Sequence, residues 1–172
     1  MNPEICLRPA RADDASCLAA LAIQVWLHTY ATDGIRPALA DYVLTQFTPQ
    51  HFEHCINNTR HRVIVAEQGE HLLGYALLDF DSYQPAVPHT STELQNLYVL
   101  PHFARQGIGS ALLHACANAA QDQAADATYW LSVNSQNHNA LAFYASHQFE
   151  QYGTLFFELD SVRYANQILA TV

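Results

Sequence analysis

The chain has 172 residues, of which 50% are hydrophobic and 13% charged. That balance suits one globular domain spanning 1–172 and excludes a disordered chain. The net charge is −9, every basic residue is arginine and lysine is absent, so no basic stripe exists for nucleic acid, whereas an acidic surface either only keeps the protein soluble or attracts a cationic small molecule such as a polyamine.

Taken in chain order, Ile5-Cys6-Leu7-Arg8 alternates like a short first strand. Ala12-Asp13-Asp14 offers an acidic N-cap to a helix from Ala15 to Tyr30, with Leu18, Leu21, Ala22, Val25 and Trp26 at helical spacing. Gly34 and Pro37 interrupt; a second helix follows to about Gln46, and Thr48-Pro49 caps a third through Ile56. Arg62–Glu67 and Leu72–Phe80 read as a hairpin turning at Gln68-Gly69-Glu70. After a long loop with Pro85 and Pro88, Thr92–Leu100 reads as a strand and Gly107 to about Ala124 as an alanine-rich helix. Tyr129–Val133 is a buried strand, Asn137–Ser146 a helix and Thr154–Leu159 a late strand. The apolar stretch 167–172 packs at an edge or pairs against a second chain as a homodimer contact.

No apolar run approaches the roughly 20 residues of a membrane helix, and the first residues lack a signal-peptide pattern. Cys6, Cys17, Cys55 and Cys116 are far apart in sequence and read as buried free thiols in a reducing cytoplasm. The ten histidines form no metal-binding spacing, so no metal is expected.

The most informative segment is Leu97-Tyr98-Val99 leading into Ala104-Arg105-Gln106-Gly107-Ile108-Gly109-Ser110. A strand here runs into a Gly-x-Gly turn that opens a helix. Such a turn offers backbone N–H groups and the positive end of the helix dipole to a phosphate. Read alone, it is equally a tight strand-to-helix turn; it is neither a dinucleotide fingerprint nor a lysine-bearing phosphate loop. A second segment, Trp130–Asn134 followed by Asn137-His138-Asn139-Ala140-Leu141-Ala142-Phe143-Tyr144, places Asn139 and Tyr144 on a helix that begins where a strand ends.

In this order the two segments resemble the signature motifs of the GNAT superfamily of acetyl-CoA-dependent N-acetyltransferases, namely a strand before Gln/Arg-x-x-Gly-x-Gly/Ala, and Asn-x-x-Ala-x-x-x-Tyr before Phe149. The resemblance covers about residues 4–160 and leans toward the bacterial spermidine/spermine N-acetyltransferase branch. It departs at Ala104, where the motif has Gln or Arg, and at Gln148, where a glycine usually precedes the phenylalanine. It implies an α+β (mixed α/β) fold whose central, largely antiparallel sheet holds one splayed parallel pair, with helices on both faces. It also implies acetyl-CoA as co-substrate, bound by Leu97, Tyr98, Val99, Arg105, Gln106, Gly107, Ile108, Gly109, Ser110, Asn134 and Asn139.

A primary amine has a pKa of about 10.4 and is protonated at neutral pH, so a base must free it. The resemblance assigns that role to Glu93, directly or through water, and assigns Tyr144 to protonating the departing thiolate; the Val99 N–H would polarise the acetyl carbonyl. Alternatively Glu93 is a strand-edge carboxylate and Tyr144 a packed core residue. At the level of the whole chain, the competing readings are a catalytically silent acetyl-CoA-binding module that regulates a partner, and a structural protein whose Gly-Ile-Gly is only a turn.

Overall fold

The computed structural model describes residues 4–171. Seven strands and five α-helices follow one another as β1 (Ile5–Pro9), α1 (Ala15–Tyr30), α2 (Pro37–Gln46), α3 (Pro49–Asn57), β2 (His61–Gln68), β3 (His71–Asp79), β4 (Glu93–Val99), α4 (Ile108–Ala124), β5 (Trp130–Asn134), α5 (His138–Ser146), β6 (Glu150–Leu159) and β7 (Val162–Ala170). The sheet order is β1-β2-β3-β4-β5-β7-β6. β1 and β2 pair antiparallel, as do β5 with β7 and β6 with β7, while β4 and β5 form the parallel pair. This is the expected mixed α+β fold with a mostly antiparallel sheet. Two compact sets of residues divide the chain, 1–78 with 96–116, and 79–95 with 117–172.

In the first set, α1 buries Leu18, Leu21, Ala22 and Trp26, the stripe that helical spacing selects. Thr48 caps α3 by accepting a hydrogen bond from the His51 N–H, with Pro49 at the first helical position. Asp14 does not cap α1 through its side chain. Its carboxylate instead takes two hydrogen bonds from the Arg8 guanidinium (2.7 and 3.0 Å) and one from the Arg11 N–H, because a bidentate pair to a charged group outcompetes a neutral cap. Arg8 also reaches Glu67 on β2, at 2.8 Å from its Nε. A line of aromatic rings then ties the helices to the strands. Trp26, Tyr42, Phe47, Tyr98, Tyr75 and Phe52 stand at successive centroid separations of 4.8, 6.2, 6.2, 5.5 and 5.5 Å, within the range of favourable edge and offset contacts.

β3 and β4 meet closely at Gly74. A Cβ placed there would lie 2.6 Å from the Tyr98 carbonyl oxygen and 3.2 Å from the Val99 Cα. Both obstacles are backbone, so no side chain can turn away, and the hydrogen bond from the Leu100 N–H to the Leu73 C=O (2.8 Å) holds the approach in place.

In the second set, β7 lies between β5 and β6. The expectation of an apolar edge piece at 167–172 is therefore corrected. The strand starts earlier, at Val162, and is interior, with Ile168, Leu169 and Ala170 buried; the fall in hydrophobicity toward Val162-Arg163 had hidden its exposed first half. Val87, Trp130, Ile168 and Ala170 form a buried cluster with Ala86 and Leu155 against it, so the long loop before β4 is anchored by a fully buried valine. The cysteine expectation is half corrected. All four are free and Cys55 and Cys116 are buried, but Cys6 and Cys17 are exposed. Among the described residues no helix is long and apolar enough to cross a membrane.

Two predictions follow from these contacts. Gly74→Ala must part β3 from β4 at Tyr98–Val99 and should cost about 3 kcal/mol by chemical denaturation, with a larger loss of activity than other substitutions of equal cost. Arg8 holds the Asp14 and Glu67 carboxyls below their usual range, chiefly by its hydrogen bonds. Folded-state values below unfolded ones give stability that is present above the usual carboxylate range and lost as pH falls through the depressed values. Thermal melts of Arg8→Met should thus show a lower Tm at neutral pH and a flatter decline toward acid than the parent protein.

Candidate active site

The Gly-x-Gly segment follows β4 through a short 3-10 turn, Pro101–Phe103. Arg105 (φ 61°) and Gly107 (φ 82°) both adopt the left-handed conformation, which glycine reaches freely and arginine reaches at a cost of roughly 1–2 kcal/mol. Left-handed residues at 105 and 107, flanking Gln106, are the kind of turn in which successive N–H groups can face one side and take an anion. Arg105, Gln106 and Gly107 are exposed, and Ile108 is buried where α4 begins. The first intrahelical bond runs from the Ala111 N–H to the Gly107 C=O (3.0 Å), so the amides of 107–110 stand at the positive end of a 17-residue helix. Gln106 turns back on the loop, its Nε2 3.4 Å from the His102 carbonyl. Leu97, Tyr98 and Val99 lie on the last half of β4, half-buried, with Tyr98 held between Phe47 and Tyr75. Ala104 is exposed and extended at the close of the 3-10 turn.

The other site residues lie in the second set. Glu93 opens β4 and is registered opposite Trp130 of β5. The Ser82 hydroxyl donates to its Oε2 at 2.7 Å. One step along the same strand face, the exposed Gln95 donates to Asp79 at 3.3 Å, and the Asp81 N–H donates to the other oxygen of that buried carboxylate at 2.9 Å. Sequence reading missed Ser82 and Asp79. The only signal was a Ser and two Asp residues at the mouth of a long loop, a pattern that loops show for many reasons.

Tyr144 is buried, with 8% of its surface exposed, and its position follows from how α5 ends. The Phe149 N–H bonds to the Tyr144 C=O (3.1 Å) and the Gln148 N–H to the Ala145 C=O (3.1 Å), with Gln148 left-handed at φ 63°. This is the Schellman closure of a helix, completed by its hydrophobic contact, the Tyr144 and Phe149 rings 5.3 Å apart. The glycine usual at this position is thereby explained, since a Cβ is costly in the left-handed conformation. Phe149 in turn meets Tyr129 at 5.6 Å.

At the end of β5 the Asn134 Oδ1 accepts from the Gln136 N–H at 2.8 Å. Asn137 caps α5 by accepting from the Ala140 N–H at 3.2 Å, which leaves Asn139 exposed in the first turn. Asn166 of β7 is registered opposite Asn134, and its buried Oδ1 meets no hydrogen-bond donor of the protein.

The sequence profile of the Acetyltransferase (GNAT) family matches residues 23–149. The chain belongs to that family and is an N-acetyltransferase. An uncharacterized N-acetyltransferase of Mycobacterium bovis is 29% identical over 146 residues, 85% of this chain and 89% of that one. Among solved structures, the PaiA N-acetyltransferase of Thermoplasma acidophilum in complex with coenzyme A superposes with a TM-score of 0.78 at 20% identity over 98% of both chains. YncA of Salmonella typhimurium, solved with acetyl-CoA, gives 0.64 at 16% identity over 96% of this chain and 92% of that one.

The Gln148 backbone generates a prediction of its own. Gln148→Gly should relieve the left-handed strain and stabilise the protein by about 1 kcal/mol, read as a higher Tm with activity retained.

Proposed function

We propose that this single-domain N-acetyltransferase transfers the acetyl group of acetyl-CoA to a primary amine of a small molecule by direct attack, with no acyl-enzyme intermediate. The observation that carries the reading is the left-handed pair Arg105 and Gly107 at the start of α4, a backbone arrangement suited to a pyrophosphate. The coenzyme A and acetyl-CoA complexes of the two similar structures support the same donor. In this reading Leu97, Tyr98 and Val99 line the pantetheine arm, residues 105–110 take the pyrophosphate, and Asn134 and Asn139 add side-chain contacts. The partnerless Asn166 Oδ1 suits an amide N–H of that arm.

Glu93, directly or through a water, takes the proton of the acceptor ammonium and passes it to solvent. The neutral nitrogen attacks the thioester carbon, the C–N bond forms, and the carbonyl oxygen draws on the Val99 N–H while it carries negative charge. As the C–S bond breaks, the thiolate takes the Tyr144 hydroxyl proton. Tyr144 recovers one from the nitrogen of the collapsing intermediate, leaving amide and free thiol. Burial pushes the Cys116 thiol up to about 12, which disfavours it as a competing nucleophile.

The acceptor class rests on charge. A net charge of −9 and Asp79 and Asp81 beside the Glu93–Gln95 edge favour an amine with a second positive group, in line with the resemblance to spermidine/spermine acetyltransferases.

Thiol release from acetyl-CoA should be followed with spermidine, neutral monoamines, amino acids, aminoglycosides and a lysine peptide. Spermidine is expected to exceed neutral monoamines, and Tyr144→Phe and Glu93→Gln should each lower kcat by about 100-fold while coenzyme A still binds. Equal turnover of neutral and polycationic amines would remove the polyamine reading. Coenzyme A binding with no turnover on any amine would favour a silent acetyl-CoA-binding module.

A further inference from the structure

We infer that Ser82 is the positioning residue for Glu93, and that the buried indole of Trp130 sets Ser82 in place. This rests on the reading of Glu93 as the base. All three polar groups of Ser82 are engaged. Its N–H donates to the Ser91 C=O at 2.8 Å, its C=O accepts from Trp130 Nε1 at 2.8 Å, and its hydroxyl donates to Glu93 Oε2 at 2.7 Å. Trp130 is 5% exposed and clamped by Val87, Ile168 and Ala170. The Trp130 backbone N–H donates to the Thr92 C=O at 2.9 Å, and Trp130 is the strand partner of Glu93. Indole, serine, carboxylate and strand thus close a ring in which each link is fixed by the next.

The loop carrying Ser82 is held independently. Val87 is fully buried, the Thr90 hydroxyl donates to the Thr128 C=O at 3.1 Å, and the Thr92 N–H donates to the Thr90 hydroxyl at 3.1 Å. Ser82 therefore does not follow a mobile loop. It presents a fixed donor to one carboxylate oxygen, which sets the plane of the carboxylate and the direction of its lone pairs. A donated hydrogen bond also favours the charged form of a carboxylate, so its removal is the change the test reads.

The test separates the hydrogen bond from the chemistry. The side-chain carboxyl carbons of glutamate are labelled with carbon-13, the Glu93 signal is assigned by its loss in Glu93→Gln, and its pH titration is followed in the free protein. Ser82→Ala should raise the proton affinity of Glu93 about tenfold. Ser82→Thr, which keeps the hydroxyl, should restore it, and Trp130→Phe, which keeps an aromatic ring of smaller size and loses the indole N–H, should move it the same way as Ser82→Ala by a smaller factor. With spermidine, or the most active amine of the panel, the acid limb of kcat/KM should move to higher pH in Ser82→Ala and Trp130→Phe and return in Ser82→Thr. An unmoved titration in both Ser82→Ala and Trp130→Phe overturns the positioning role. A moved titration with an unmoved acid limb keeps the positioning and overturns Glu93 as the base.

Discussion

One parallel contact governs this architecture. β4 and β5 run side by side in the same direction, with Glu93 opposite Trp130, in a sheet otherwise built of antiparallel neighbours. Strands that run parallel cannot be joined by a tight turn; the chain must travel back along the sheet before it can start again. α4 is that return path, so a long helix must begin close behind the end of β4. The turn at 105–110 is therefore a by-product of topology, since the residues that reverse the chain after Val99 are those whose amides open the helix. The same contact sets Trp130 beside Glu93.

How much of this was legible in the sequence depended on how local the cause was. The limits of α1 and α2 match their periodicity and proline signals residue for residue, because the forces that start and stop a helix act within four or five positions. The turn at 105–110 could be read for the same reason. The role of Asp14 could not, since its cap geometry lost to an arginine on β1 whose other partner, Glu67, lies on β2. Ser82 was hidden for a similar reason, its partners being the carboxylate of β4 and the indole of β5, 11 and 48 positions away in sequence. Tyr144 lies between these cases. The motif marked it and five consecutive residues close the helix around it, but its burial depends on Phe149 and Tyr129.

The left-handed residues show where local preference was overridden. Arg105 and Gln148 hold conformations that glycine would take more easily, one at the turn before α4 and one four residues after Tyr144. At the first, the side chain adds a positive charge to a turn already suited to an anion. At the second, no contact of the glutamine explains its retention.

The position of β7 bears on how the molecule comes into being. It follows β6 in sequence yet lies between β5 and β6, so β6 joins the sheet only through β7. Until residues 162–170 are docked, the open side of β5 and the whole length of β6 offer unpaired amides and carbonyls to any extended chain nearby. β7 thus acts as a keystone: its docking closes two open edges in one event and completes the buried cluster around Trp130.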